Sequence, residues 1–233
     1  KFLIKIINIL PFSTDNFSFA FIVRKFIEGI HTDDFIRHNN WLGSFDDKTI
    51  KNILSNKYND NENEFENYLN SKYSNYRKLG KNNSLSSLYL RTYLMDQVMV
   101  KVDRASMRAS LEARAPFLDS KIVDFALSLP HSLKIKKFKT KYILRHIASK
   151  FFSKNIFKRP KKGFGLPISE WLRKDLKPIL DSYLSKENIE KYGIFNYEEV
   201  KKLIDDHMQG KIERRKELWN LLTLHIWLRS NFD

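Results

Sequence analysis

The sequence contains no cysteine. This absence excludes disulfides, cysteine-bound zinc and cysteine nucleophiles, and it fits a reducing cytoplasm. No apolar run reaches the roughly 18 residues that a membrane-spanning helix needs. The apolar opening KFLIKIINILPF is interrupted by Lys5 and Asn8 and lacks a small-residue cleavage site, so it does not fit a secretory signal. We therefore expect a cytoplasmic protein without a membrane partner.

Length and composition are those of a folded globular chain. The 233 residues suffice for one large domain or two small ones, and 42% hydrophobic and 14% aromatic residues provide for a packed core. The sequence shows no internal repeat and no convincing alternation of strand and helix patterns. Its first residue is Lys rather than Met, so we expect a piece of a longer protein.

The net charge is +15, from 42 Lys and Arg against 27 Asp and Glu. Such an excess suggests nucleic acid as a partner. We interpret the basic residues instead as spread along the chain, with Lys used as the default surface residue. No nucleic-acid motif accompanies them, so a nucleic-acid partner is not expected. A phosphate-rich small substrate would suit a local basic cluster.

Helical patterns fill most of the chain. Caps, helix breakers and apolar spacing predict helices at about 17–28, 34–41, 47–54, 84–102, 103–112, 120–128, 141–152, 169–185 with a break at Pro178, 197–209 and 213–229. Exposed helices with a loop near Gly80 are expected within 56–83. N-caps are expected at Thr32–Asp34, at Asp46 and Asp47, and at Asn196. A short extended piece is expected at 133–136. Thr140 is predicted to cap the helix that follows, with Phe151 turned inward. Trp219 and Trp227 are interpreted as core residues, and His207 as structural.

The stretch from Lys101 to Asp119, KVDRASMRASLEARAPFLD, is rich in ionisable and hydroxyl side chains. On the helix predicted over 103–112, charges lie on every side, so this helix is either fully solvated or packed in a polar pocket, and we expect the pocket. Ala115 precedes a proline and is pushed to extended geometry, so it ends the helix. Phe117 is then an expected apolar anchor, and Asp119 a good N-cap for the next helix.

A second informative stretch is RPKKGFGLPI, at 159–168. Two prolines and two glycines in ten residues predict a structured loop. Gly163 and Gly165 permit close backbone approach to a ligand. The chemistry alone leaves two interpretations open, a basic surface loop or an anion-binding loop. Its closely spaced cations are Arg159, Lys161 and Lys162.

The first stretch resembles the signature of the glutamine-hydrolysing asparagine synthetase family, in its ATP-using synthetase domain. Ala115 stands where the family usually has Val. The loop at 159–168 is similar to the family's Arg-x-Lys-x-x-Phe loop, and the tail is similar to its His-x-x-Gly turn and Trp-x-Leu-Leu helix. The signature residues that match are Lys101, Asp103, Arg104, Ser106, Met107, Glu112, Ala113, Arg114, Pro116, Phe117, Leu118 and Asp119.

This resemblance implies a fold and a domain assignment. It implies a mostly α chain, the helical C-terminal portion of an α/β ATP-pyrophosphatase domain with the parallel sheet largely missing. Residues 1–233 would form a single truncated domain. The family's Ser-Gly-Gly-x-Asp-Ser phosphate loop, its Glu-Leu-Phe-Gly-Gly-Tyr stretch and its cysteine-dependent glutaminase are absent from this sequence. We therefore expect the isolated chain to be inactive, with an apolar face exposed where the sheet would lie.

The resemblance also implies a reaction and roles for individual residues. The family adenylates aspartate with ATP and Mg²⁺, and ammonia from glutamine then displaces AMP. By position Lys161 is the catalytic residue that contacts the pyrophosphate and the reacting centre, with Lys162 as the alternative. The residues expected to bind ATP or pyrophosphate are Lys101, Asp103, Arg104 and Lys162. The structural signature comprises Glu112, Arg114, Pro116 and Asp119. No metal ligand is assigned.

Further expectations concern neighbours of these residues and the partners. Asp103 is expected to hold Lys101 or Arg104, or to help position Mg²⁺. Glu112 and Arg114, two residues apart on the predicted helix, are each expected to bridge to another element. The substrates are ATP, aspartate and ammonia from glutamine, the missing glutaminase and phosphate-loop segments are partners, and a homodimer is compatible with the sequence.

Two other functions stay open. One is a related ATP-dependent amidotransferase that acts on another carboxylate, such as a sugar acid or a β-lactam precursor, because the GFGLPI loop resembles that of bacterial family members of uncertain substrate. The other is a non-catalytic helical fragment, basic enough to bind nucleic acid. Aspartate dependence of the complete enzyme separates the first from asparagine synthesis, and the salt dependence of nucleic-acid binding tests the second.

Overall fold

The structure is a computed structural model, and it describes residue 26 and residues 33–59, 64–159 and 165–233. The described residues divide into two compact units. Unit 1 contains those up to Tyr68 and those from Gly165 to Asp233, and unit 2 contains those from Leu69 to Arg159. The segment 1–12 and the helix predicted at 17–28 lie outside the described residues, apart from Phe26, which is helical.

Helices make up most of the described chain. They are α1 (Asp34–Leu42), α2 (Asp47–Ile53), α3 (Glu64–Tyr73), α4 (Lys81–Tyr89), α5 (Val100–Met107), α6 (Ser120–Ser128), α7 (His131–Lys134), α8 (Tyr142–Ala148), α9 (Lys154–Lys158), α10 (Ile168–Arg173), α11 (Lys177–Tyr183), α12 (Lys186–Tyr192), α13 (Tyr197–Met208) and α14 (Arg215–Phe232). Short 3₁₀ turns lie at Asn56–Tyr58, Ser74–Leu79 and Pro116–Leu118. In this part of the chain, two short antiparallel strands, β1 (Ile135–Lys136) and β2 (Lys139–Thr140), form the sheet. The mostly helical fold class is confirmed.

The predicted N-caps begin the helices where the sequence places them. The Asp33 side chain accepts a hydrogen bond from the Phe35 amide at 2.9 Å, and the Asp46 side chain accepts one from the Thr49 amide at 2.7 Å. Asp119 and Asn196 act in the same way on α6 and α13. Each side-chain oxygen satisfies an amide that has no partner inside its helix.

The predicted cap at Thr140 is wrong. Thr140 belongs to β2, and Lys141 precedes α8 with a left-handed backbone, φ 56°, and no side-chain cap. The sequence pattern predicts one helix from 141 to 152, but α8 ends at Ala148. Pro178 also lies inside the first turn of α11, where proline is tolerated, so the chain breaks before it rather than at it.

A continuous helix runs from α4 to α5, but its middle is not an α-helix. The segment Leu90–Met99 is π-helical. The helix then ends at Met107, not at Glu112 as predicted. Ser110 is left-handed with φ 55°, and the Leu111 amide donates to the Ser106 carbonyl at 3.0 Å. This is the hydrogen-bond pattern of a Schellman motif, which ends a helix. The sequence does not predict it, because a serine occupies the left-handed position where glycine is usual.

Unit 1 has one apolar core. Its buried side chains come from α2 and from α10 to α14, and Trp219 packs against them. Trp227 is 53% exposed, so its assignment to the core is wrong. The buried line of α14 passes through other positions, and a helix buries only the face turned to the core. That line consists of Leu218, Leu221, Leu222, His225 and Leu228.

The end of α2 is joined to the segment before α13 by backbone hydrogen bonds. Leu54 and Phe195 form an antiparallel bridge. The Ser55 amide donates to the Ile194 carbonyl at 2.9 Å, and the Asn196 amide donates to the Ile53 carbonyl at 2.7 Å. These bonds satisfy polar groups next to the core and attach the early part of the chain to the late part.

Unit 2 has little core among its described residues. Leu69, Tyr73 and Leu88 are its buried apolar side chains there. Phe117 is 66% and Phe151 is 76% exposed, so the expected anchor and the expected inward position are both wrong. In this part of the structure, contacts run mainly between elements adjacent in sequence, and nothing covers these rings. No helix in the described ranges is long and apolar enough to cross a membrane.

Candidate functional site

Helix α5 carries three of the predicted site residues on an exposed surface. Lys101 and Arg104 are three residues apart, so they lie on one helix face. Among the residues that the structure describes, neither cation forms an ion pair. Asp103 is one and two residues away from them and points elsewhere, so the expected pairing is wrong. The residues that the structure describes also do not form the expected polar pocket around α5, and among them both cations are exposed.

The π-helical segment directly precedes these cations. A π turn closes hydrogen bonds between residues five apart rather than four, and such segments are frequent at functional sites. Because a π turn contains more residues than an α turn, the 3.6-residue pattern does not continue in register through Leu90–Met99 to Lys101 and Arg104.

Glu112 and Arg114 form an ion pair with each other. The Arg114 Nη2 to Glu112 Oε1 distance is 2.7 Å, and the two side chains are 83% and 69% exposed. The expectation that each bridges to another element is wrong because α5 has already ended. Along the extended chain that follows, residues two apart share a face. A pair this exposed contributes at most about 1 kcal/mol.

The remaining signature residues shape the chain. Pro116 opens the 3₁₀ turn Pro116–Leu118, and Asp119 caps α6 by accepting from the Lys121 amide at 3.0 Å. Lys161 and Lys162 lie outside the described residues. The described ranges also contain no group of three or more His, Asp or Glu side chains that could hold a metal ion.

Unit 1 contains a polar network that the sequence analysis missed. Ser169 Oγ donates to Glu213 Oε2 at 2.9 Å, and Arg173 Nη1 donates to Ser169 Oγ at 2.9 Å. Arg173 Nε also donates to the His207 carbonyl at 2.9 Å. The network joins α10, α13 and the turn before α14. The sequence signal was weak, since the four residues are spread over 45 positions.

His207 is fully buried within this network. Its Nδ1 accepts from the Arg214 amide at 3.3 Å, which leaves the proton on Nε2, 3.3 Å from the Ser169 carbonyl. Burial lowers the pKa of His207, although the Glu213 carboxylate acts in the opposite direction. Nε2 meets a carbonyl and not the serine hydroxyl, so this is not a nucleophilic triad. The interpretation of His207 as structural agrees with this geometry.

His225 is a second buried imidazole. In the part of the chain that the structure describes, neither ring nitrogen has a hydrogen-bond partner. The ring contacts those of Tyr192 and Phe195, with centroids 5.7 and 6.0 Å away. Burial lowers the pKa of His225. Burial in the folded chain therefore disfavours the charged form of His225.

Acid is expected to destabilise unit 1 through these two histidines. Both have a lower pKa in the folded chain than the ordinary value of about 6.5. Below that pH the unfolded chain binds more protons, so the free energy of unfolding falls as the pH falls. The slope is up to about 1.4 kcal/mol per pH unit for each histidine, until the folded pKa is reached.

Urea unfolding between about pH 7.5 and 5 measures this slope. Tryptophan fluorescence reports on unit 1, because all four tryptophans (Trp41, Trp171, Trp219 and Trp227) belong to it. His225→Phe keeps a ring at this buried position. It should remove the contribution of one histidine to the slope of the free energy of unfolding against pH. His146→Gln, at an exposed position in unit 2, is the control and should leave the slope intact. An unchanged slope in His225→Phe would contradict the prediction.

Comparison with known proteins identifies relatives of this chain. A model of the family described as asparagine synthase matches residues 17–229. Asparagine synthetase [glutamine-hydrolyzing] 1 of Bacillus subtilis is 30% identical over 151 residues, which is 65% of this chain and 24% of the relative. Asparagine synthetase [glutamine-hydrolyzing] of Gallus gallus is 36% identical over 98 residues, 41% of this chain and 17% of the relative.

A further relative is asparagine synthetase [glutamine-hydrolyzing] 3 of Bacillus subtilis, 32% identical over 108 residues, 43% of this chain and 17% of the relative. The chain spans about a fifth to a quarter of the length of the first curated relatives it matches. No solved structure matches.

Proposed function

The chain belongs to the asparagine synthase family, and from this premise we propose that it is the C-terminal part of the synthetase domain of a glutamine-hydrolysing asparagine synthase. The observation that carries the proposal is the family match over residues 17–229. It includes the whole signature from Lys101 to Asp119. The family is one of ligase-type enzymes. The whole enzyme's substrates, its cytoplasmic location and its glutaminase are part of the proposal.

The proposed reaction has two steps. A carboxylate oxygen of aspartate attacks the α-phosphorus of ATP, and pyrophosphate leaves as the phosphoanhydride bond breaks. The nitrogen of ammonia, released from glutamine, then attacks the activated carbonyl carbon. The carbon–oxygen bond to AMP breaks, ammonia loses a proton, and asparagine forms. Negative charge develops on the leaving groups in both steps, so fixed cations accelerate them.

In the proposed enzyme the chain supplies such cations. Lys101 and Arg104 share a face of α5 and have no ion pair in the described ranges, so they fit the phosphates of ATP. Arg104 is suited to grip two phosphate oxygens at once. Lys161 would contact the pyrophosphate at the reacting centre, with Lys162 as the alternative. Fixed charges of this kind need no reorganisation when the bond breaks.

Mg²⁺ would neutralise phosphate charge when it accompanies ATP. The described residues provide one carboxylate near the cations, that of Asp103, and no cluster that fits a protein-bound ion. We assign no step of this chain's chemistry to it. Glu112, Arg114, Pro116 and Asp119 would act by shaping the segment after α5, since two of them set turns and two pair with each other.

The experiment is to purify the complete protein that contains this chain and measure pyrophosphate release from ATP. We expect release that depends on aspartate and on glutamine or ammonia, with one asparagine formed per pyrophosphate. The 233-residue chain alone should release none, because it spans only about a quarter of its relatives. Release that needs a sugar acid or another carboxylate instead of aspartate would overturn asparagine synthesis and leave the family assignment intact.

A further inference from the structure

The positive charge of the chain is concentrated in one segment. Between Asp124 and Glu170 there is no acidic residue, whereas the same 45 positions contain ten Lys and two Arg. At the chain's average of 27 acidic residues in 233, about five would be expected there. The basic residues are spread along the chain as expected, and the charge is concentrated here mainly because acidic residues are missing from this segment. Its described part, up to Arg159, lies in unit 2.

The hairpin in this segment has an unusual turn. Lys136 pairs with Lys139, and the two residues between them, Lys137 and Phe138, both have positive φ, 46° and 63°. Two-residue hairpins of this geometry favour Asn-Gly, because other residues are strained there. Phe138 is also fully exposed. Strain that presents a cation and a bare ring to solvent points to a function for both.

A hollow opens beside this turn. It has a volume of about 530 Å³ and is lined by three aromatic rings, Phe138, Tyr142 and Phe157, together with Lys139 and Arg145. A second hollow of about 270 Å³ shares Arg145 and Phe157 and adds Lys141 and Arg159. The two hollows thus follow one another along α8, each with flat apolar walls and cations.

The cation between the two hollows is held in place. Arg145 Nε donates to the Thr140 carbonyl at 3.2 Å, and its two terminal nitrogens have no partner among the described residues. The ammonium of Lys136 lies 4.9 Å from the centre of the Tyr142 ring. Its hydrogen bond to Thr140 orients the Arg145 guanidinium before any ligand binds, and a planar guanidinium oriented in this way can bind two oxygens of a phosphate.

We propose that residues 136–159 form a binding surface for single-stranded RNA. A strand offers phosphates at regular intervals and flat bases between them, and this surface offers cations with exposed rings between them. The first hollow binds a base, which stacks on Phe138 and Tyr142. Arg145 binds the phosphate that joins this base to the base in the second hollow. The carboxylate side chains that make a peptide acidic are not flat rings that stack on these walls, and a bilayer does not enter a hollow.

The test is fluorescence anisotropy of labelled oligouridine of about 20 nucleotides with the complete protein that contains this chain, in salt from about 50 to 200 mM. Lys137→Asn with Phe138→Gly removes one cation and one ring and installs the favoured turn, so the hairpin stays folded. We expect affinity to fall about ten-fold or more, and the slope of log affinity against log salt to become shallower by about 0.7. Arg145→Gln should also lower affinity.

The matched control is Lys201→Asn with Phe232→Gly, which removes an exposed cation and an exposed ring from unit 1. It should bind like the unsubstituted chain. The proposal is overturned by absent binding, by binding without a salt slope, or by equal losses in both double variants. Uridine monophosphate, polyglutamate or phosphatidylserine vesicles that compete as well as oligouridine, at equal concentration of phosphate or carboxylate, would also overturn it.

Discussion

Replacement of Lys161 by alanine in the complete enzyme is expected to reduce asparagine formation by about 10²–10³-fold, the usual cost of one group that stabilises developing charge. The loss should fall on kcat and on kcat/KM together. A cation that meets the pyrophosphate as it leaves contributes more in the transition state than in the ground state. Initial rates of pyrophosphate release at saturating ATP and aspartate measure it.

The neighbouring lysine supplies a matched control for this experiment. Lys162→Ala removes the same charge from the same stretch of sequence, and we expect it to cost less than about ten-fold, because Lys162 is assigned to binding and not to the reacting centre. The reverse order, with Lys162 as the costly position, would transfer the catalytic role to Lys162. Equal small effects at both positions would contradict the assignment of this loop to the reacting centre.

Glu213→Ala is expected to lower the free energy of unfolding of unit 1 by about 3 kcal/mol or more. Glu213 accepts from the Ser169 hydroxyl and faces Arg173, whose side chain is mostly buried. Without the carboxylate, the Ser169 hydroxyl loses its acceptor and the mostly buried Arg173 guanidinium loses the opposite charge 4.0 Å away, which costs far more than the loss of a surface pair. Urea unfolding followed by tryptophan fluorescence measures the change.

Glu190→Ala is the control for this substitution. Glu190 lies on the exposed side of α12, 3.8 Å from Lys186, and its loss should change the free energy of unfolding by less than about 0.5 kcal/mol. Glu213→Gln keeps an acceptor but loses the charge, so it should fall between the two. Equal stability of Glu213→Ala and Glu190→Ala would mean that the network does not hold α10 against α13.

The features that the sequence predicts well are local ones. The caps at Asp33, Asp46, Asp119 and Asn196 each depend on one side chain and the next two or three amides, and each is where the pattern predicts it. The helix end at Met107 was missed although it too is local. The residue with the left-handed backbone there is Ser110, whereas a glycine is what predicts a helix end of this kind from sequence.

Features that need partners distant in sequence could not be predicted. Ser169 and Glu213 are 44 residues apart, and nothing in either neighbourhood indicates the other. The exposure of α5 and Phe117 was missed for the same reason, because a charged or apolar pattern does not say which elements will cover it. Family resemblance identified Lys101, Arg104 and Lys161 as candidates. Their convergence on one ligand stays a prediction.

Unit 1 cannot complete its core during synthesis until the last part of the chain has been made. Its core joins Ile53 to Leu218 and Leu222, and all of unit 2 is translated between them. At ribosomal speeds of about 5–20 residues per second, Leu54 is made roughly 7–28 seconds before its bridge partner Phe195. During that interval the apolar face of α2 is without its core, so we expect the nascent chain to expose that face until the last helices are made.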